Sequence, residues 1–356
     1  MRQLPYYCSP AAQRATRNSF LEPMPITAII SRNQPKFAGS DRTTVYLAVL
    51  PAAHNFTLSC PGIFGTLANG GTVVLSETAS CDETMPLIEQ EGVTHLALVP
   101  ALAKIWADAR QWEESDLSSL KLIQVGGAKL SPENAEFIMA TFSGQLQQVF
   151  GMAEGLLCYT RPDDPLEKVL HTQGYPLSPQ DEIRIVDEHG TPVADGETGL
   201  LLTKGPYTIS GYYRAEVQNT TSFTADGFYI TGDRVCQDAD GYLSVEGRVK
   251  EQINRAGEKI AAAEVESVLN RLPEFLPVQW SPFLIHCSGE RICAFIIPQD
   301  QPIDITTLRQ QLLHQGFTTY KQPDQIEFIS HWPLTAVGKI DKNRLVALAQ
   351  QKEMSE

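Results

Sequence analysis

The sequence has few cysteines, an excess of acidic over basic residues and no long apolar run, and each of these features excludes a class of protein. Its 356 residues include seven cysteines, which form no C-x-x-C pair and no other metal-ligand spacing. No apolar run reaches the roughly 18 residues of a membrane helix, and the N-terminus lacks the apolar core of a signal peptide. The net charge of −14 repels nucleic acid and anionic lipid. Composition therefore predicts a cytoplasmic protein with no nucleic-acid and no membrane partner.

Short apolar runs alternate with helical patterns from Val45 onward, which is typical of an α/β layer structure. After Gly174, Asp-Gly turn formers separate β-rich segments and predict an antiparallel, barrel-like β region. A small α+β unit follows and completes the chain. The predicted strands of the first and last regions are Val45–Leu50, Thr72–Leu75, His95–Val99, Leu120–Val125, Ile292–Ile297 and Ile326–Ile329, and the predicted helices include Ala101–Trp112, Glu133–Phe142, Ala261–Leu272 and Thr306–His314.

Polar or glycine-rich segments follow four strand patterns, which is where the ligand sites of α/β folds gather. These segments are residues 52–56 (A-A-H-N-F), 147–155 (Q-Q-V-F-G-M-A-E-G), 229–233 (Y-I-T-G-D) and 247–260 (G-R-V-K to G-E-K-I). A fifth segment, 333–341 (P-L-T-A-V-G-K-I-D), precedes the last helix. In this order and spacing they resemble the adenylate-forming enzymes. The first two resemble the aryl-acid branch, the 2,3-dihydroxybenzoate-AMP and salicylate-AMP ligases of siderophore biosynthesis.

This resemblance implies a ligase with two domains and two half-reactions. Residues 45–247 would be part of the large AMP-binding domain, 248–250 the hinge and 251–356 the small C-terminal domain, whereas residues 1–44 do not match the family. An aryl carboxylate would attack the α-phosphate of ATP, with Mg²⁺ bound, to give an aryl adenylate. The phosphopantetheine thiol of an aryl carrier protein would then capture the acyl group.

The resemblance also assigns nucleotide and metal residues. Glu154 would hold Mg²⁺, a hard cation that prefers carboxylate oxygen. Lys339 would reach the α-phosphate and the aryl carboxylate, and Asp233 would accept both ribose hydroxyls. Arg248 would offer its guanidinium to ribose and phosphate oxygens, and Lys250 would be the position about which the small domain rotates.

Two further groups are implied for adenine and for the aryl ring. The Gly126-Gly127-Ala128 turn and Phe150 resemble the adenine slot, with a buried core residue as the alternative for Phe150. Asn55 would donate to the carboxylate or the 2-hydroxyl, and His54 would line the entry, a structural histidine being the alternative. Cys60 would lie near the 3-position of the ring, where dihydroxybenzoate enzymes tend to have serine and salicylate enzymes cysteine. The sequence leaves the choice of acid open.

Two segments depart from the family pattern. Residues 8–27 stand where a glycine-rich phosphate loop is expected, and residues 276–288 interrupt a good match. In both, a frame shifted by two bases permits family-like residues, including L-S-G-G-T-T-G for the first. We therefore expect two compensated frameshifts, with Met1 internal to a longer ancestral frame. Prolines within residues 8–27 lack the N–H that a phosphate cradle needs, so the chain as written is expected to bind ATP poorly.

Three functions remain open from the sequence. The leading hypothesis is aryl-acid adenylation and transfer to a carrier protein. A second is a non-catalytic remnant that still docks a carrier protein through its small domain. A third is a general acyl-CoA ligase, which Asn55 and its neighbours disfavour.

Overall fold

The computed structural model describes residues 38–249, 252–255, 258–261, 283–287, 291–297, 305–314, 322–335 and 340–353. The chain divides into two compact units, Met1–Val245 and Glu246–Glu356. The predicted hinge at 248–250 includes residue 250, which lies outside the described residues, so the domain limits remain a prediction.

A mostly parallel sheet forms the core of the first unit. Its strand order is β2-β1-β3-β4-β5-β6-β7; pairing is parallel from β2 to β5 and antiparallel for β6 and β7. The central strands β3 and β4 are buried along their whole length, as parallel strands covered on both faces must be. The strands are β1 (Val45–Ala48), β2 (Thr72–Leu75), β3 (His95–Leu98), β4 (Leu122–Gly126), β5 (Gln145–Gly151), β6 (Leu157–Tyr159) and β7 (Tyr175–Pro176).

Helices cover this sheet, and local sequence signals set their ends. Helix α5 begins where the Ser131 hydroxyl accepts the Asn134 N–H at 3.3 Å, with Pro132 in its first position. Helix α3 ends at Gly92, whose φ of +60° is the left-handed conformation of a helix C-terminus. The helices are α1 (Asn55–Ser59), α2 (Gly62–Ala68), α3 (Cys81–Glu91), α4 (Pro100–Ala109), α5 (Pro132–Thr141) and α6 (Leu166–His171).

The β-rich region after Gly174 forms a second sheet, as predicted. Its strand order is β11-β10-β9-β8, and both pairings of β9 are antiparallel. Within the part of the chain that the structure describes, no pairing joins β11 to β8, so this sheet is open and does not close into a barrel. Its strands are β8 (Glu182–Val186), β9 (Thr198–Lys204), β10 (Tyr229–Gln237) and β11 (Leu243–Arg248), with helix α7 (Glu216–Ser222) between β9 and β10.

The second unit is a small α+β arrangement. One sheet has the order β14-β15-β16, and Leu345 and Ala349 of α9 form a buried cluster with Cys293 and Phe295 of β15. Its elements are β12 (Gln252–Arg255), β13 (Glu258–Ala261), β14 (Phe283–Cys287), β15 (Arg291–Ile296), α8 (Ile305–His314), β16 (Gln325–Phe328) and α9 (Lys342–Glu353).

Several sequence predictions fall outside the described residues. The predicted helix Ala261–Leu272 cannot be compared beyond Ala261, which belongs to β13. Residues 8–27 are not described at all, and of residues 276–288 only Phe283–Cys287 are described, as strand β14. The frameshift hypothesis therefore stays a prediction.

A partly buried carboxylate in the first unit, that of Asp181, is expected to make the stability of the fold depend on pH. The Tyr207 hydroxyl donates to Asp181 Oδ2, and the Ser178 N–H donates to the same oxygen at 3.3 Å. The other oxygen, Oδ1, is buried and has no hydrogen-bond partner among the described residues. Burial, which outweighs these hydrogen bonds, raises the pKa of Asp181 to about 6.

We expect Asp181→Asn to reduce the pH dependence of stability. Because the folded-state pKa is raised, the contribution of the wild-type carboxyl is fully present below about pH 4 and is lost as pH rises through about 6. Urea unfolding monitored by circular dichroism from pH 4 to 7 should show a smaller decrease in the free energy of unfolding for the variant than for the wild type. Asp195→Asn, at an exposed turn, is the control. An equal pH slope in wild type and Asp181→Asn would contradict this account.

Candidate functional site

The predicted adenine slot lies at the carboxyl ends of two neighbouring parallel strands. Gly126 ends β4 and is paired with Val149 of β5. A Cβ on Gly126 would lie 2.5 Å from the Val149 carbonyl oxygen and 3.2 Å from Phe56 Cζ of α1. Only glycine fits this approach. Since Phe56 follows Asn55 in α1, the segment predicted to bind the aryl acid packs directly on the segment predicted to bind adenine.

The rest of this slot is partly open to solvent. Gly127 has a φ of +84°, a left-handed conformation that favours glycine, and Ala128 is exposed. Phe150 is partly buried and packs against a cluster that contains Leu156 and Cys158. The structure thus gives Phe150 a packing role, and adenine stacking stays a proposal.

His54 has a structural contact at the start of the predicted aryl pocket. It is the N-cap of α1, and its Nδ1 accepts the Phe56 N–H at 3.2 Å. A neutral ring that accepts at Nδ1 carries its proton on Nε2. Asn55, the first residue of α1, is half-buried. The alternative of a structural histidine therefore has support, and lining of the pocket entry by His54 stays a proposal.

Cys60 is the C-cap residue of the same short helix, α1. It is 4% exposed, and its thiol donates to the Asn55 carbonyl oxygen at 3.8 Å. Burial raises the pKa of Cys60 to about 12, while a hydrogen bond from the Tyr159 side chain acts in the opposite direction. The thiol is therefore protonated at neutral pH and unreactive as a nucleophile. It can serve as a small neutral wall of a pocket.

Glu154 lies in the loop between β5 and β6, which the segment after β9 holds in place. The Ile209 N–H donates to the Glu154 carbonyl oxygen at 2.8 Å. A Cβ on the buried Gly155 would lie 2.7 Å from Thr208 Oγ1, so this loop and that segment are in close contact. The Glu154 side chain is half-buried, and the Tyr212 hydroxyl donates to its Oε1 at 2.9 Å.

The side chains around Glu154 suit Mg²⁺ better than a metal whose ligands all come from the protein. Among the described residues, no group of three or more His, Cys, Asp or Glu side chains is close enough to hold an ion. Structural zinc needs four such ligands. Mg²⁺ instead keeps several waters and binds through one or two carboxylates together with substrate phosphates. A single half-buried carboxylate agrees with the second arrangement.

Asp233 is placed by an irregularity in strand β10. The register against β9 shifts between Ile230 and Arg234, and Gly232 has a φ of +76°. The Asp233 N–H donates to Thr231 Oγ1 at 3.0 Å, and Asp233 is 3% exposed. Such bulges redirect side chains and are common beside active sites.

Strand β10 also connects Asp233 to the Glu154 loop. Tyr229, at the start of β10, has its hydroxyl 3.2 Å from that of Tyr212, which bonds Glu154. The predicted residues of the first unit therefore fall into two sets, and the segments within each set contact one another. One is α1 with the end of β4, and the other is the β5–β6 loop with β10.

Of the other three predicted residues, one belongs to the second unit and two lie outside the described residues. Arg248 is exposed, ends β11 and belongs to the second unit. Lys250 and Lys339 lie outside the described residues. On either side of Lys339, Leu334 and Ile340 form an antiparallel bridge.

The sequence motifs do not mark Tyr212, whose hydroxyl bonds Glu154, or the neighbouring Tyr229 as a partner of Tyr212. Residues 205–213 (G-P-Y-T-I-S-G-Y-Y) follow strand β9 directly. They carry the same mixture of glycine, aromatic and polar residues after a strand that marked the other site segments. That signal was sufficient to find Tyr212, but not its contact with Glu154, which joins residues 58 positions apart.

Comparison with known proteins defines the class. Residues 26–213 match the AMP-binding enzyme family, so the match includes residues 26–44, which the resemblance read from the motifs left outside the family. The chain is 52% identical over 314 residues to pyochelin synthase PchD of Pseudomonas aeruginosa and 53% identical over 312 residues to 2,3-dihydroxybenzoate-AMP ligase of Bacillus subtilis. The alignments cover 88% of this chain and 57% and 58% of those proteins. The apo structure of Mycobacterium smegmatis MbtA superposes with a TM-score of 0.61 at 43% identity, over 90% of this chain and 60% of MbtA.

The chain therefore belongs to the AMP-binding enzyme family, and the resemblance to adenylate-forming enzymes is confirmed. Its fold is the mixed α/β fold predicted from the sequence. It spans less than two thirds of the length of the curated relatives it matches. Of the helices in the described part, none is long and apolar enough to cross a membrane.

Proposed function

We propose that this chain is the larger part of an aryl-acid adenylating ligase of siderophore biosynthesis, acting in the cytoplasm. It would join 2,3-dihydroxybenzoate or salicylate to the AMP moiety of ATP and pass the acyl group to an aryl carrier protein. The observation that supports the proposal is the packing of Phe56 in α1 on Gly126, because these residues belong to the segments proposed to bind the aryl acid and adenine. Formation of an aryl adenylate requires that the acid and the nucleotide bind next to each other.

The proposed chemistry needs positive charge, because an aryl carboxylate attacks a polyanion. Bound Mg²⁺ would neutralise charge on the phosphate oxygens, and Glu154 would hold it. Asp233 would orient the ribose through its hydroxyls. Lys339 would lie between the carboxylate and the α-phosphate, and Arg248 would contact ribose and phosphate oxygens.

The proposal includes an alternation between the half-reactions. Rotation about Lys250 would present one face of the small domain for adenylation and another for thioester formation. The carrier protein would bind only after adenylation. The proposed loss of the phosphate loop through a frameshift at residues 8–27 would weaken ATP binding by the chain as written.

The acceptor of the acyl group tests the proposal against its alternatives. The test uses a restored chimera, in which the B. subtilis relative supplies everything before Val45 and the segment matching residues 276–288. When this chimera is incubated with the aryl acid, ATP and a phosphopantetheinylated aryl carrier protein, it should load the carrier protein. Mass spectrometry of the carrier protein detects the added acyl group. If coenzyme A is offered together with the carrier protein and acyl-CoA forms instead, the general ligase is favoured. If the chimera is active while the 356-residue chain only binds the carrier protein, the chain is a non-catalytic remnant.

Cys60→Ser in the restored chimera should change the choice of acid. A serine hydroxyl at the 3-side of the ring can hydrogen-bond the extra hydroxyl of dihydroxybenzoate, and one such bond is worth about 1 kcal/mol. We expect the ratio of kcat/KM for dihydroxybenzoate over salicylate to rise by roughly 5- to 10-fold. Cys158→Ser, at another fully buried cysteine, is the control. An unchanged ratio in Cys60→Ser would show that residue 60 does not face the 3-position.

A further inference from the structure

Tyr212 makes a specific contact with the proposed metal-holding carboxylate. Its hydroxyl donates to Glu154 Oε1 at 2.9 Å. Among the residues that the structure describes, this is the one hydrogen bond to the Glu154 side chain. Tyr212 is 5% exposed, so water has little access to the bond. A phenylalanine would satisfy the packing of the ring, and only the hydroxyl explains the contact with Glu154.

Tyr212 is itself fixed from the other side by helix α7. The Asn219 side chain accepts the Tyr212 N–H at 2.8 Å and donates to the Tyr212 carbonyl oxygen at 2.9 Å. The Phe223 ring packs edge-on at a centroid distance of 6.2 Å, and the Tyr229 hydroxyl lies 3.2 Å from that of Tyr212. Two hydrogen bonds from one amide leave the Tyr212 backbone little freedom. The phenol is therefore preorganised where it meets the carboxylate.

We propose that Tyr212 is a positioning residue for the metal site, held in place by Asn219. The phenol binds one oxygen of Glu154 and so directs the carboxylate toward the cation and the nucleotide phosphates. Hydrogen-bond partners of metal ligands act in this way, and their removal typically lowers metal affinity about 10- to 100-fold. The inference rests on the proposed metal role of Glu154, and it adds two residues that the sequence motifs did not mark.

The test measures metal affinity directly on the restored chimera, because the 356-residue chain is expected to bind ATP poorly. Mn²⁺ replaces Mg²⁺, and water-proton relaxation reports the complex of chimera, Mn²⁺ and ATP separately from free Mn²⁺ and Mn²⁺·ATP. We expect Tyr212→Phe to weaken Mn²⁺ binding in this complex about 10- to 100-fold. The affinity for ATP in EDTA should be unchanged. Tyr213→Phe makes the same substitution one residue later on a ring that is 43% exposed, and it should bind as the wild type does.

Two further variants keep the test decisive. Asn219→Ala retains the Tyr212 phenol but removes the two hydrogen bonds that hold the Tyr212 backbone. This variant should weaken Mn²⁺ binding by a smaller factor than Tyr212→Phe does. If Tyr212→Phe does not fold, Asn219→Ala alone provides the test. Glu154→Gln reports on the metal role itself. A loss of Mn²⁺ affinity in Glu154→Gln with no loss in the Tyr212 and Asn219 variants overturns this inference and leaves the proposed function intact.

The other outcomes are equally distinct. If Glu154→Gln has no effect, or if the restored chimera forms no complex with Mn²⁺ and ATP, the metal role of Glu154 and the inference both fail. If Tyr212→Phe weakens ATP binding in EDTA as much as it weakens Mn²⁺ binding, Tyr212 is structural. Specificity for the aryl acid is not measured here, so none of these results depends on the identity of the acid.

Discussion

Lys339→Ala in the restored chimera is expected to slow aryl adenylate formation by about 10²- to 10³-fold. A cation between the attacking carboxylate and the α-phosphate stabilises charge mainly in the transition state, and comparable single groups contribute about that factor. The effect should fall on kcat more than on the KM for either substrate, because the interaction strengthens as the reaction proceeds. Single-turnover formation of the adenylate, quenched in acid, measures it.

The same variant distinguishes catalysis from a structural role. Transfer from preformed aryl adenylate to the carrier protein should fall far less, since the small domain presents a different face in that step. Lys342→Ala, which substitutes a nearby lysine in the first turn of α9, is the matched control. If Lys339→Ala slows both half-reactions equally, the lysine is structural and the two-conformation account loses its main support.

Asp233→Asn is expected to raise the KM for ATP about 100-fold in the restored chimera. The proposed carboxylate accepts two ribose hydroxyls, and hydrogen bonds to charged groups are worth about 1.5 to 3 kcal/mol each. The amide keeps the shape of the side chain and one acceptor, so about 2.7 kcal/mol of binding, equivalent to about 100-fold, should be lost. Steady-state exchange at varied ATP measures the effect.

The aryl acid supplies the internal reference for this variant. The KM for the aryl acid should change by less than about threefold, because in the proposed arrangement the acid does not contact the ribose. Asp226→Asn, in the exposed turn just before β10, is the control and should keep the wild-type KM for ATP. Equal increases in the KM for both substrates would mean that the substitution disturbs the bulge and does not remove a ribose contact.

Much of the fold could be predicted from the sequence because burial imposes a local pattern. The apolar runs at residues 45–50 and 95–99 form β1 and β3, since parallel strands covered on both faces must be apolar throughout. The run at residues 72–75 forms β2, the partly exposed edge strand of the same sheet. The turn glycines Gly227 and Gly241 have φ values of +86° and +88°, which is the conformation that makes Asp-Gly a turn signal. Sheet closure was not predictable, because it depends on which strands pair over long distances.

Residues of the proposed site could be chosen from the sequence only where motifs mark them. Glu154, Asp233 and Gly126 stand in segments with a recognisable pattern, whereas Tyr212 acts through a contact with a residue far away in the sequence. His54 shows the converse limit. A motif suggests its place near the pocket, but its contact with the Phe56 N–H is a helix cap that any short acceptor could make.

The measurement that tests the account most directly is aryl-acid-dependent exchange of pyrophosphate into ATP. We expect the restored chimera to exchange with 2,3-dihydroxybenzoate or salicylate, to show little exchange with benzoate or a fatty acid, and to lose activity in Glu154→Gln. The 356-residue chain should exchange far more slowly under the same conditions. Exchange that is absent from a folded chimera, or that does not depend on the hydroxylated acid, would contradict the assignment of this chain to aryl-acid adenylation.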